Sequence, residues 1–123
     1  MSYTISKQYT FSASHQLHGL EEGHPCGRLH GHNYTVEIQL TGEALDEHGF
    51  IVDYNVMDQR IGEWIASVLD HRDLNTDVPN IGQPTAENLA EFIWSMVDEK
   101  FRDVEICVRV AETPKTWAQY PGW

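Results

Sequence analysis

Residues Tyr3 to His15 read YTISKQYTFSASH, and their alternation sets the architecture. Ile5, Tyr9, Phe11, Ala13 and His15 share one face, with Lys7 the exception, while Thr4, Ser6, Gln8, Thr10, Ser12 and Ser14 share the other. A period of two with polar residues outward predicts a half-buried strand. The pattern returns downstream: His30, His32, Tyr34, Val36, Ile38 and Leu40 fall on one face, Asn33, Thr35, Glu37 and Gln39 on the other. Between the two runs, Leu17 to Arg28 holds Gly19, Gly23, Pro25 and Gly27 and reads as a loop. Together these segments predict a long antiparallel pair.

Beyond the pair, Gly42 to Gly49 is a polar turn and Phe50 to Asp53 a short extended piece. From Asn55 the period changes. Met57, Ile61, Trp64, Ile65 and Val68 form one stripe of an amphipathic helix ending near Leu69. Asp70 to Pro84 is loop-like, and Thr85 has the chemistry of an N-cap for a second helix running to about Phe101, with Leu89, Ile93, Met96 and Val97 inward. Val104, Ile106, Val108, Val110 and Glu112 then alternate with Glu105, Cys107, Arg109 and Ala111, and Thr116 to Tyr120 can add a last short strand. The predicted order is ββααββ: an α+β fold, with two helices on one face of an antiparallel sheet. At 123 residues the chain fits a single domain, 1–123, with no room for a second core.

The polar residues that end apolar faces carry the chemistry. His30 and His32 flank Gly31, so on a strand both imidazoles project from one side, and the glycine leaves space between them for a ligand or a neighbouring chain. An antiparallel partner strand brings His15 near that pair. Three neutral imidazoles with an open fourth position form a catalytic zinc arrangement. His18, His24 and His48 sit in polar loops and read as exposed histidines, although His24 lies close to Cys26.

Cys26 lies four residues before His30, on the expected open side of the metal. A thiolate is the reactive form, favoured by nearby cationic charge such as Arg28 or the metal itself. Cys26 is alternatively a fourth ligand, which would close the site and make the zinc structural. Cys107 reads as a small apolar strand residue. Asp70-His71 is a possible carboxylate–imidazole relay, although adjacent residues usually point apart. Glu112 ends an apolar strand face and can accept two hydrogen bonds from an N–C–N edge, as a pterin or guanine presents; a salt bridge with Arg109 or Lys115 is the competing account.

Eight basic against 19 acidic residues give a net charge of −11, which disfavours nucleic acid and anionic membranes as partners. No stretch is apolar enough for a membrane span, the N-terminus lacks a secretory pattern, and two cysteines make no disulfide framework. A reduced, cytoplasmic setting is expected.

Phe11-Ser-Ala-Ser-His15, Cys26-Gly-Arg-Leu-His-Gly-His32, Leu69-Asp-His71, Pro84-Thr-Ala-Glu87 and Glu112-Thr113 closely resemble the motifs of the 6-pyruvoyltetrahydropterin synthase family, in the family's order, from about residue 3 to residue 113. The Cys-x3-His-Gly-His spacing is most similar to its bacterial 6-carboxytetrahydropterin synthase branch. The resemblance implies a tunnelling fold (T-fold) whose protomers form trimeric barrels stacked as a hexamer, with active sites at subunit interfaces. It implies zinc on His15, His30 and His32, proton transfer by Cys26, Asp70 and His71, and a pterin anchor at Glu112, with Thr113 and Arg28 as further substrate-binding residues. The implied reaction converts 7,8-dihydroneopterin triphosphate to 6-carboxytetrahydropterin, acetaldehyde and triphosphate, a step towards queuosine and other 7-deazapurines. Three readings compete with it. A pyruvoyl enzyme keeps the side chain, a zinc module uses Cys26 as a ligand, and a metal-free relative binds purines or pterins through the glutamate alone.

Overall fold

The computed structural model describes all residues, 1–123. Strands β1 (Tyr3–His15) and β2 (His30–Gly42) form the expected antiparallel pair, in a register that places His15 opposite His30 and Ala13 opposite His32. Burial follows the alternation: Phe11, Ala13 and His15 of β1 and Tyr34, Val36, Ile38 and Leu40 of β2 are buried, with their neighbours more exposed. Each fully buried aliphatic side chain contributes about 1.5–3 kcal/mol of transfer free energy. They pack under two helical rods on the same face.

The first rod departs from a uniform α-helix. It runs as α1 (Tyr54–Met57), a π-helical turn at Asp58–Gly62, and α2 (Glu63–Val68). Met57, Ile61, Ile65 and the following Leu69 are buried, as the stripe predicts. The π turn is where Lys7 finds its purpose. The Lys7 ammonium lies 2.6 and 2.7 Å from the two Asp58 carboxylate oxygens, and Tyr9 donates its hydroxyl to Asp58 at 3.1 Å. A cation on the helix side of β1 is therefore paired rather than stranded. Gly62 packs closely there: a Cβ would come to 3.1 Å from the Tyr9 ring, a contact that the ring must shift to relieve.

The second rod, α3 (Ala86–Asp98), begins at the predicted cap: Thr85 accepts the Asn88 N–H at 3.2 Å. It ends three residues before Phe101, which is itself buried. Strands β4 (Glu105–Thr113) and β5 (Thr116–Tyr120) complete the sheet, and Trp94 of α3 ties to it by donating its indole N–H to the Ile106 carbonyl at 2.9 Å. Two details differ from expectation. Phe50 to Asp53 is a bend, not an extended piece. A two-residue strand, β3 (Arg72–Asp73), pairs parallel with β1, giving the sheet order β3-β1-β2-β4-β5. No helix is long and apolar enough to cross a membrane.

Candidate metal centre and active site

His15, His30 and His32 converge at one end of the β1–β2 pair, with their ligand-capable nitrogens all within 4.8 Å of one another. Strand parity does this: opposite and diagonal neighbours on one face of an antiparallel pair are adjacent in space. His15 is the one buried polar residue, 1% exposed. Its Nδ1–H donates to the Pro84 carbonyl at 2.7 Å, with Tyr34 Oη a weaker second acceptor at 3.3 Å. His30 donates from Nδ1 to the Arg28 carbonyl at 2.6 Å. Carbonyl oxygens only accept, so both rings carry their proton on Nδ1 and present a lone pair at Nε2.

Those two Nε2 atoms are 3.0 Å apart. Two lone pairs facing each other at that distance repel unless a proton or a cation lies between them. The His32 Nε2 is buried with no hydrogen-bond partner. Burial foremost, with the neighbouring His15 and His30, lowers the His32 pKa, partly opposed by Glu112, so the neutral, ligating form is favoured. Tetrahedral zinc with bonds of about 2.0–2.1 Å places its nitrogens about 3.3 Å apart, close to the 3.0 Å between His15 and His30 Nε2 and inside the 4.8 Å that bounds all three. The donor set fits zinc.

The Glu112 carboxylate stands 3.5 Å from His32 Nε2, without hydrogen-bond geometry. It does not pair with Arg109, which instead approaches Glu37 at 3.4 Å, and Lys115 forms no ion pair. Glu112 borders a cavity of about 400 Å³ between the start of α3 and β5. The adjacent Thr113 hydroxyl is used in the hairpin, 3.2 Å from Thr116 Oγ1.

Cys26 occupies a 3₁₀ turn at Pro25–Gly27, half-buried, with a free thiol. It is not among the side chains that converge with the three imidazoles. His24 is exposed, as expected, and it also caps this turn: its Nδ1 accepts the Cys26 N–H at 3.1 Å. Arg28 reaches the centre through its carbonyl on His30, while its guanidinium makes no ion pair.

Asp70 and His71 do meet, despite being neighbours. His71 has φ +58, and its Nδ1 lies 3.0 Å from Asp70 Oδ2. The other Asp70 oxygen accepts the Ser12 N–H at 2.9 Å, and His71 N–H donates to the Ser12 carbonyl at 2.6 Å. The Ser12 N–H, followed by His71, holds the Asp70 carboxyl below the usual carboxylate range. The His71 side chain is 82% exposed and borders a cleft of about 450 Å³ with Ser12, Ser14, Gly31 and Asn33. By strand parity Ser12, Ser14 and Asn33 face away from His15 and His30, yet the same cleft is also lined by Ala13 and His32, so it reaches the edge of the imidazole cluster. No hydrogen bond or ion pair joins His71 to Cys26 or to the three imidazoles.

The sequence patterns missed the groups that hold these parts: the Pro84 carbonyl, Tyr34, Gln16, Asn75 and Gln83. An amide or carbonyl in a loop carries no local signal when its partner is some 60 residues away.

A five-stranded, mainly antiparallel sheet with both helical rods on one face, three imidazoles at the end of its first hairpin and a glutamate from β4 beside them, defines a T-fold protein with a metal-ready centre. The family model for 6-pyruvoyl tetrahydropterin synthase matches residues 4–122. The 6-pyruvoyl tetrahydrobiopterin synthase of Dictyostelium discoideum is 31% identical, covering 99% of each chain. The 6-carboxy-5,6,7,8-tetrahydropterin synthase of Bacillus subtilis is 33% identical over 97% of this chain and 85% of its own. The structure of Caenorhabditis elegans 6-pyruvoyl tetrahydropterin synthase superimposes with a TM-score of 0.86 at 26% identity, covering 100% and 97% of the two chains. The chain belongs to the 6-pyruvoyl tetrahydropterin synthase family, whose members are enzymes acting on pterins.

Proposed function

We propose that the protein is a zinc-dependent 6-carboxy-5,6,7,8-tetrahydropterin synthase, converting 7,8-dihydroneopterin triphosphate to 6-carboxytetrahydropterin, acetaldehyde and triphosphate. The observation that carries this reading is the lone-pair pair of His15 and His30 with the Glu112 carboxylate beside His32. His15, His30 and His32 hold the metal, which when bound supplies Lewis acidity towards the side-chain hydroxyls of the substrate. Glu112 accepts the N–C–N edge of the pterin, with Thr113 and Arg28 as further substrate contacts. Cys26 thiolate removes a carbon-bound proton, and His71, oriented by Asp70, returns one elsewhere, so that enol shifts lead to loss of triphosphate and carbon–carbon cleavage.

The largely exposed His71, joined by no hydrogen bond or ion pair to the imidazoles or Cys26 of its own chain, supports an assembly in which the dyad of one copy serves the centre of another. Such a site fits a hexamer made of two trimers. The strongly acidic surface favours a small-molecule substrate over nucleic acid or membrane. We place the enzyme in the cytoplasm, supplying queuosine or another 7-deazapurine. The Cys-x3-His-Gly-His spacing favours the carboxy product, whereas the end-to-end match to the Dictyostelium relative favours a pyruvoyl product. Acetaldehyde measured after incubating the zinc-loaded protein with dihydroneopterin triphosphate decides between them. We expect one acetaldehyde per triphosphate released. Triphosphate without acetaldehyde overturns the carboxy reading.

A further inference from the structure

The loop that carries Cys26 is held by side-chain amides rather than by apolar packing. Most of residues 18–25 are exposed, and Leu20 points to solvent. Asn75, in the loop after β3, pairs with the Gln16 backbone as a strand would. Its Oδ1 accepts the Gln16 N–H at 2.8 Å, and its Nδ2 donates to the Gln16 carbonyl at 2.8 Å. Gln83 does the same at His18, accepting its N–H at 2.8 Å and donating to its carbonyl at 2.9 Å.

From this anchored stretch two bonds reach the thiol turn. The Gln16 side chain donates to the Gly27 carbonyl at 2.8 Å, and the Leu17 N–H donates to the Cys26 carbonyl itself at 2.9 Å. The same stretch directly follows His15. Gln16, its backbone held by Asn75, thus ties the strand end that carries an imidazole to the turn that carries the sulfur.

We propose that Gln16 and Asn75 are positioning residues that fix Cys26 relative to the imidazole centre. The inference rests on reading Cys26 as the proton-transferring thiol. Neither residue touches the imidazoles, so their loss acts on the geometry of the thiol and spares the donor set. A misplacement of about 1 Å in a reacting group costs up to about 100-fold in rate.

The test uses the full-length, zinc-loaded protein and dihydroneopterin triphosphate, with variants Asn75→Ala, Gln16→Met and, as reference, Cys26→Ala. Zinc content, kcat, KM and hydrogen exchange at the Leu17 amide are measured for each. Asn75→Ala and Gln16→Met are expected to lower kcat by about 10- to 100-fold, with zinc unchanged, KM within about threefold of wild type, and faster exchange at Leu17. Gln16→Met removes one side-chain bond and leaves the main chain alone, so it decides the matter if Asn75→Ala fails to fold. A wild-type kcat in Gln16→Met, or a loss of kcat that tracks a loss of zinc, overturns the positioning role while Cys26→Ala remains at least about 100-fold impaired. A kcat in Cys26→Ala within about tenfold of wild type overturns the underlying reading of the thiol, and the positioning role with it.

Discussion

The two halves of the candidate site are built by different means. The three imidazoles stand on β1 and β2, where pairing in register places His15 against His30 and sets His32 diagonal to it. The thiol and the Asp70–His71 dyad stand on turns, one held by amides and a histidine cap, the other by Ser12 and a positive φ at His71. A strand pair places a donor set through its own ladder, so the metal half is rigid before any ligand arrives. Groups on turns are placed only as well as their few polar contacts allow. The contrast predicts that the halves can be broken separately.

The largest effect belongs to the metal half. His30→Ala removes a donor whose Nε2 stands 3.0 Å from that of His15, and turnover is expected to fall below detection together with zinc stoichiometry. Chelation of the wild type is expected to abolish activity reversibly while far-UV circular dichroism stays unchanged, because the strands are held by their apolar face and ladder. Loss of the sheet signal on chelation would show that the metal also builds the scaffold, and the contrast would fail.

The turn-borne half is expected to respond in the opposite way. Cys26→Ala keeps its zinc and loses about 100- to 10,000-fold in kcat, the range for a positioned acid or base. Loss of zinc in this variant would instead make the sulfur a ligand. Mixing inactive Cys26→Ala and His71→Ala chains under conditions that exchange subunits is expected to restore part of the activity. That follows if the dyad and the thiol of one site come from different copies. No recovery in demonstrably mixed assemblies would place both groups in one chain.

The same contrast explains what the sequence shows and what it hides. Alternation is local, so β1, β2, β4 and the faces of His15, His30, His32 and Glu112 can be read directly from residue order. The Lys7 exception could not be, since its reason is Asp58 in a π turn 51 residues on. Likewise the i, i+1 rule separates Asp70 from His71 only for ordinary backbone, and φ +58 at His71 removes that condition. Asn75 and Gln83 are single amides in loop-like runs, and nothing near them in the chain announces that they pair with residues 16 and 18. Long-range polar pairing on turns has no period to detect.

The smallest expected effect tests whether the dyad is a built feature of its turn. The Asp70 carboxylate is depressed first by the Ser12 N–H and then by His71, so the folded state binds its proton less readily than the unfolded chain. A depressed carboxylate contributes stability that is fully present above its unfolded pKa of about 3.9 and is lost as the pH falls through the lower folded value. Asp70→Asn removes that titration. Its Tm is expected to lie below that of the wild type at neutral pH, with the gap closing as both are acidified through the carboxylate range. At neutral pH the same variant, its zinc unchanged, is expected to lose activity, because an amide orients the His71 ring more weakly than a carboxylate does. A constant gap in Tm across the acid range would mean that the Ser12 contact contributes the same with either side chain, and that the charge on Asp70 serves only His71.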